Sequence, residues 1–164
     1  MLFRTRVFAL AFLAVLGTTS VCQSQSPDTA APLSASTVPA ERLIQPAELV
    51  KLLSSSTGGS PSQAPLILQV GSRVFFQEAH IPGSKYADAG SQPSGLQTLE
   101  NAVSAVPKDK FIVLYCGCCP WNRCPNVGPA FQRLNSLGFT NVKVLYLANN
   151  FGDDWVRKGY PREH

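Results

Sequence analysis

Four of the chain's five cysteines, Cys116, Cys118, Cys119 and Cys124, fall within nine residues of one another. Thiols at this density suit three kinds of chemistry: nucleophilic attack, disulfide exchange, or binding of soft metals as thiolates. Core packing takes a buried cysteine as a small hydrophobe, one at a time, so the cluster reads as chemical. It follows the apolar run Phe111-Ile112-Val113-Leu114 directly, the pattern of a strand ending on a thiol. Behind the loop, Val127, Phe131, Leu134 and Leu137 recur on one helical face. A helix opening there aims free N–H groups and the positive end of its dipole at sulfur, which favours thiolate.

The loop's other residues refine the options without closing them. Arg123 is its one cationic side chain, suited to hold an anion through paired hydrogen bonds. Trp121 is placed to wall a pocket, and Gly117 to let backbone amides approach a bound anion. Cys116 and Cys119 form a C-x-x-C pair, the spacing of thiol–disulfide redox sites. The full pattern C-x-C-C-x4-C differs from the paired C-x2-C of zinc sites, and no histidine lies close in sequence; a metal-binding loop stays an alternative, with no metal assigned.

The elements that must position the loop are legible on either side of it. Pro46 to Leu53 reads as a short helix, Leu66 to Val70 as a strand covered on both faces, and His80-Ile81-Pro82-Gly83-Ser84 as a turn leading to a short strand at Lys85 to Ala87. Leu96, Leu99, Val103 and Val106 mark a helix that stops at Pro107. Asn126 is the expected cap of the helix after the loop, and Gly138 its left-handed terminus. Val142 to Leu147 is a last strand and Asp153 to Lys158 a last short helix. The alternation predicts an α/β fold, a mainly parallel sheet with helices on both faces, in which sites form at the carboxyl ends of strands.

Composition bounds the rest. Arg4 and Arg6, then the apolar Val7 to Leu16, read as an export signal over residues 1–22, so the protein is expected outside the cytoplasm, in a periplasm. Cys22 offers a lipidation site as a less favoured alternative. Without residues 1–22 the chain keeps 12 basic and 10 acidic residues, a balance that gives no case for nucleic acid. Residues 23–40, rich in Ser, Thr, Pro, Ala and Gln, read as a disordered linker, and residues 41–164 as one domain.

Taken in order, the strand before His80-Ile81-Pro82-Gly83-Ser84, the strand ending in Tyr115-Cys116, the helix closing with Leu137-Gly138-Phe139, and the tail with Trp155 and Gly159-Tyr160-Pro161 resemble the rhodanese-like domain family, over about Leu43 to Pro161. The resemblance implies a five-stranded α/β domain and a sulfurtransferase. Its active-site cysteine takes a sulfane sulfur as a persulfide and passes it to a thiol or to cyanide, with no organic cofactor. It places the nucleophile at Cys116, the anion holders at Arg123 and the Gly117 loop amides, and candidate resolving thiols at Cys118, Cys119 and Cys124. The partners implied are a small anionic sulfur donor or polysulfide and a thiol acceptor.

The chain also departs from the family's pattern. Gln69-Val70-Gly71 stands where Asp-x-Arg is usual, and Phe75 replaces an acid. Six residues separate Cys116 from Arg123, against four in the common loop, whereas Cys118 to Arg123 gives four, which keeps Cys118 as the alternative nucleophile. The lost pair also leaves an inactive, partner-binding module as a further alternative.

Overall fold

The computed structural model describes residues 37–56 and 64–164. The expected export signal, Cys22 and most of the expected linker lie outside the described residues. Five strands form one sheet: β1 (Leu43–Ile44), β2 (Leu66–Gln69), β3 (Lys85–Tyr86), β4 (Ile112–Tyr115) and β5 (Val142–Leu145). Their order is β1-β5-β4-β2-β3 and every pairing is parallel, as the alternation of elements requires. The cysteine loop therefore leaves the central strand, between β2 and β5.

Continuous apolar strands arise because both faces of the sheet are covered. Leu68, Ile112, Leu114, Val142 and Val144 point to one face, against Leu99 and Val103 of α3 (Pro93–Val103) and Val127, Ala130, Phe131 and Leu134 of α4 (Val127–Ser136). The alternate residues Ile67, Val113, Tyr115 and Leu145 point the other way, against Leu49 of α1 (Pro46–Ser56), Ile81 and Trp155. Each fully buried side chain of this kind contributes about 1.5–3 kcal/mol, so the central strand that carries the loop is the most firmly held.

Several boundaries differ from expectation for physical reasons. The segment around Phe75 and Phe76 forms a further helix, α2 (Arg73–Glu78), too short for helical periodicity to reveal. The two-residue β1 pairs only at the sheet edge. Val38 is buried among the core residues although it lies before the expected start of the domain. The last helix is a π-helical turn, Gly152–Val156.

The end of α4 follows its sequence signal closely. Gly138 takes φ +86°, and the N–H groups of Gly138 and Phe139 return to the carbonyls of Asn135 and Leu134 at 2.9 and 3.1 Å. That double closure satisfies carbonyls the helix leaves open.

Candidate active site

Tyr115, the last residue of β4, is anchored before the loop begins. Its hydroxyl accepts the Ile81 N–H at 3.3 Å and lies 3.1 Å from Ser84 Oγ. The His80–Ser84 turn thus locks the residue next to Cys116. Burial pushes the Tyr115 phenol up to about 12. His80 itself belongs to the scaffold: its ring stacks on Phe76 at 4.1 Å, Nδ1 meets the Phe76 carbonyl, and its backbone pairs with Glu163.

From the neighbouring strand, Gln69 fills the place of the family's acid. Buried, it donates from Nε2 to the Cys116 carbonyl at 3.1 Å and accepts the Gly71 N–H at 3.2 Å. A neutral amide can do both at once, whereas a carboxylate can only accept. Gly71 is needed for space: a Cβ there would come within 2.9 Å of Cys116 Sγ. Arg73 turns aside and stacks over the Tyr86 ring at 4.2 Å.

All four thiols are free and drawn together. Cys116 and Cys124 are buried, and Cys118 and Cys119 half-buried. Cys116 Sγ lies 3.0 Å from Cys118 Sγ, which lies 3.3 Å from Cys119 Sγ. The sulfurs of Cys116, Cys119 and Cys124 sit within 4.8 Å of one another.

Such crowding separates proton from charge. Cys118, then Cys119 and Cys124, surround the single Cys116 S–H with sulfur acceptors, and burial adds to this, so the thiol keeps its proton and titrates well above the ordinary range. The Cys116 thiol beside them is the largest influence that lowers Cys118 to about 6 and Cys124 to about 7, against the opposing effect of burial. For Cys124 the N–H groups of Val127 and Asn126, at the start of α4, add to the lowering. The helix N-terminus therefore serves Cys124 rather than the strand-end cysteine.

Asn126 departs from its expected use. It stands at the cap position, yet its side chain makes no bond to the helix. Oδ1 instead accepts the Ser91 N–H at 3.1 Å, while Nδ2 donates to Cys116 Sγ at 3.2 Å. A cap residue has been diverted to orient the sulfur.

Cys116, Gly117 and Cys118 line a cavity of about 530 Å³, together with Gln69, Tyr115, Phe151, Glu78, Arg162 and His164. Gly117 needs its lack of a side chain, because φ is +80° and a Cβ would meet Phe151 Cβ at 2.7 Å. The loop is pinned from the far side, where Phe151 donates to the Gly117 carbonyl at 3.0 Å.

Two expected pocket residues lie elsewhere. Trp121 packs against Tyr146, ring centroids 5.2 Å apart, and Arg123 is exposed on the short 3-10 turn Trp121–Arg123; neither lines the cavity. Among the residues that do, Arg162 is the one lysine or arginine. The chain's end brings it there, since Glu163 pairs with His80 through two backbone hydrogen bonds of 2.9 Å and His164 Nδ1 meets the Glu78 carbonyl. The sequence held no local sign of this, because the contact spans more than 80 residues.

Comparison with known proteins accords with this architecture. The model of the rhodanese-like domain matches residues 47–147. The solution structure of the rhodanese-like domain of the Alr3790 protein from Anabaena sp. superposes with TM-score 0.52 at 22% identity, covering 74% of this chain and 78% of that one. The complex of EanB/C412S with hercynine gives 0.51 at 22% identity, over 74% of this chain and 27% of that one. Saccharomyces cerevisiae Ygr203w, described as a homolog of single-domain rhodanese and the Cdc25 phosphatase catalytic domain, gives 0.50 at 16% identity, over 77% and 85%. At these identities the likeness concerns the fold. No curated protein matches the sequence. With the family model spanning well over half its length, and the cysteine loop at the end of the central parallel strand, the chain belongs to the rhodanese-like domain family.

Proposed function

We propose that the protein is a sulfurtransferase that carries a sulfane sulfur as a persulfide on Cys116. The observation that supports this best is the placement of Cys116 at the end of β4, lining the cavity, with its sulfur held at 3.2 Å by Asn126 Nδ2. The Cys116 proton passes to Cys118 Sγ, 3.0 Å away. The Cys116 thiolate then attacks the outer sulfur of a donor such as thiosulfate. A Cys116 S–S bond forms, the donor's S–S bond breaks, and sulfite leaves with the electron pair. Attack by cyanide or a thiolate on the outer persulfide sulfur transfers it and regenerates the Cys116 thiolate, so the cycle needs no external oxidant or reductant.

Arg162 is the proposed anion holder in place of Arg123, since it lines the cavity. Cys118 and Cys119, half-buried beside Cys116, are the proposed resolving thiols of a polysulfide, with Cys124 behind them. The leader over residues 1–22 makes a periplasmic site of action part of the proposal. Thiocyanate formation from thiosulfate and cyanide tests the reading. Turnover by the wild type and none by Cys116→Ser is expected; turnover retained in Cys116→Ser and lost in Cys118→Ser would move the nucleophile by two residues.

The 3.0 Å approach of Cys116 to Cys118 favours one second reading, thiol–disulfide exchange. It predicts a Cys116–Cys118 disulfide that forms under mild oxidants and no sulfur uptake from thiosulfate.

A further inference from the structure

The sulfurs of Cys116, Cys119 and Cys124 converge from two ends of the loop. All three lie within 4.8 Å of one another, two of the residues buried and one half-buried. Sequence spacing alone does not show this, because C-x-C-C-x4-C lacks the paired form of a zinc site. We propose that these three thiolates form a binding site for a single Cu(I) ion.

The donor set decides between metals. No histidine or carboxylate of the described residues joins the group. His80 and His164 are engaged elsewhere, their Nδ1 atoms at the carbonyls of Phe76 and Glu78. Structural zinc takes four ligands in a tetrahedron. The set here has three, all soft sulfur, a donor type that suits Cu(I); Cu(I) is content with three ligands, whereas zinc on three side chains still needs a water to complete its tetrahedron. Cys118 stands outside this set, although it touches two of its members at 3.0 and 3.3 Å.

The surroundings also accept the charge. Three thiolates and one Cu(I) leave two negative charges in a largely buried place, which requires hydrogen-bond donors. Asn126 Nδ2 donates to Cys116 Sγ at 3.2 Å, and the N–H groups of Asn126 and Val127 face Cys124 Sγ from the start of the ten-residue α4. Binding releases the protons the thiols still carry, and no electron is transferred. The inference does not depend on sulfurtransfer, but it uses the same loop, so the copper-loaded form would hold Cys116 out of sulfur chemistry.

The test uses the full chain, reduced and free of oxygen, titrated with Cu(I) against a Cu(I)-specific chelator. One Cu(I) per chain is expected to stay with the protein, with thiolate-to-copper absorption in the near ultraviolet and X-ray absorption showing sulfur ligands alone. Cys119→Ser and Cys124→Ser should each weaken retention by more than about 100-fold, beyond the 10- to 100-fold typical of losing an outer-shell partner. Cys118→Ser should keep one Cu(I). Wild type that loses its copper to the chelator overturns the proposal, as does equal weakening in Cys118→Ser or a Zn(II) ion held by all four thiols. Should a variant unfold, the wild-type stoichiometry and sulfur count still decide. Sulfur uptake is measured separately, on metal-free reduced protein: copper retention with no persulfide formed by the metal-free chain refutes only the sulfurtransferase reading, and persulfide formation by a chain that retains no copper refutes only this one.

Discussion

Replacing Asn126 by Asp separates the orienting role of its side chain from its structural role. The amide holds two bonds, accepting from Ser91 N–H at 3.1 Å and donating to Cys116 Sγ at 3.2 Å. Asp keeps the acceptor for Ser91 and turns the donor into an oxygen that repels a thiolate. A hydrogen bond to a charged group is worth about 1.5–3 kcal/mol. At 1.36 kcal/mol per tenfold in rate, its loss slows sulfur uptake by about 10- to 150-fold. Asn126→Leu loses both bonds and adds a stability cost of up to about 3 kcal/mol where the Ser91 N–H goes unpaired. The assay is persulfide formation from saturating thiosulfate followed by intact mass against time, beside thermal melts of all three proteins. Wild-type uptake rates in a stably folded Asn126→Asp protein would show that the amide does nothing for the sulfur.

Further predictions follow from single contacts. Arg162→Gln should raise KM for thiosulfate about fivefold at unchanged kcat, the effect of about 1 kcal/mol from one exposed charge; a neutral sulfur donor should be indifferent, and equal KM values for thiosulfate would remove Arg162 from the site. Gly117→Ala should cost about 2 kcal/mol or more, since φ is +80° and the new Cβ meets Phe151 at 2.7 Å; a melt unchanged from wild type would contradict this. Tyr115 carries a pH signature. Its phenol rises from 10.0 to about 12 on folding, a hundredfold gain in proton affinity worth about 3 kcal/mol. The neutral form is favoured in the folded state, so this stability is complete below pH 10 and is lost as pH rises toward 12. Denaturant titrations between pH 9 and 12 should show that loss in the wild type and a shallower one in Tyr115→Phe; identical slopes would exclude it.

The fold was legible wherever burial on two faces wrote a continuous apolar run, as in β2 and β4, and wherever a helix ended on a glycine, as at Gly138. It was not legible in α2, a helix shorter than two turns, or in β1, which needs only two residues to pair with β5. The site divides the same way. Cys116 announces itself because strand and loop meet there, and the crowding of four thiols follows from nine residues of sequence. Asn126 was readable as a helix cap, and that local meaning hid its use on Cys116 Sγ. Arg162 and Gln69 reach the site through long-range pairing, Glu163 on His80 and β2 on β4. Arg123 has the residue type for an anion holder, but the 3-10 turn after Pro120 carries it to the surface.

Whether Cys116 carries sulfur is read from the intact mass of the reduced protein after incubation with thiosulfate, with fragmentation to locate the change. A gain of one sulfur atom on Cys116, reversed by cyanide and absent from Cys116→Ser, is expected. An unchanged mass, or an added sulfur that persists in Cys116→Ser, would contradict it.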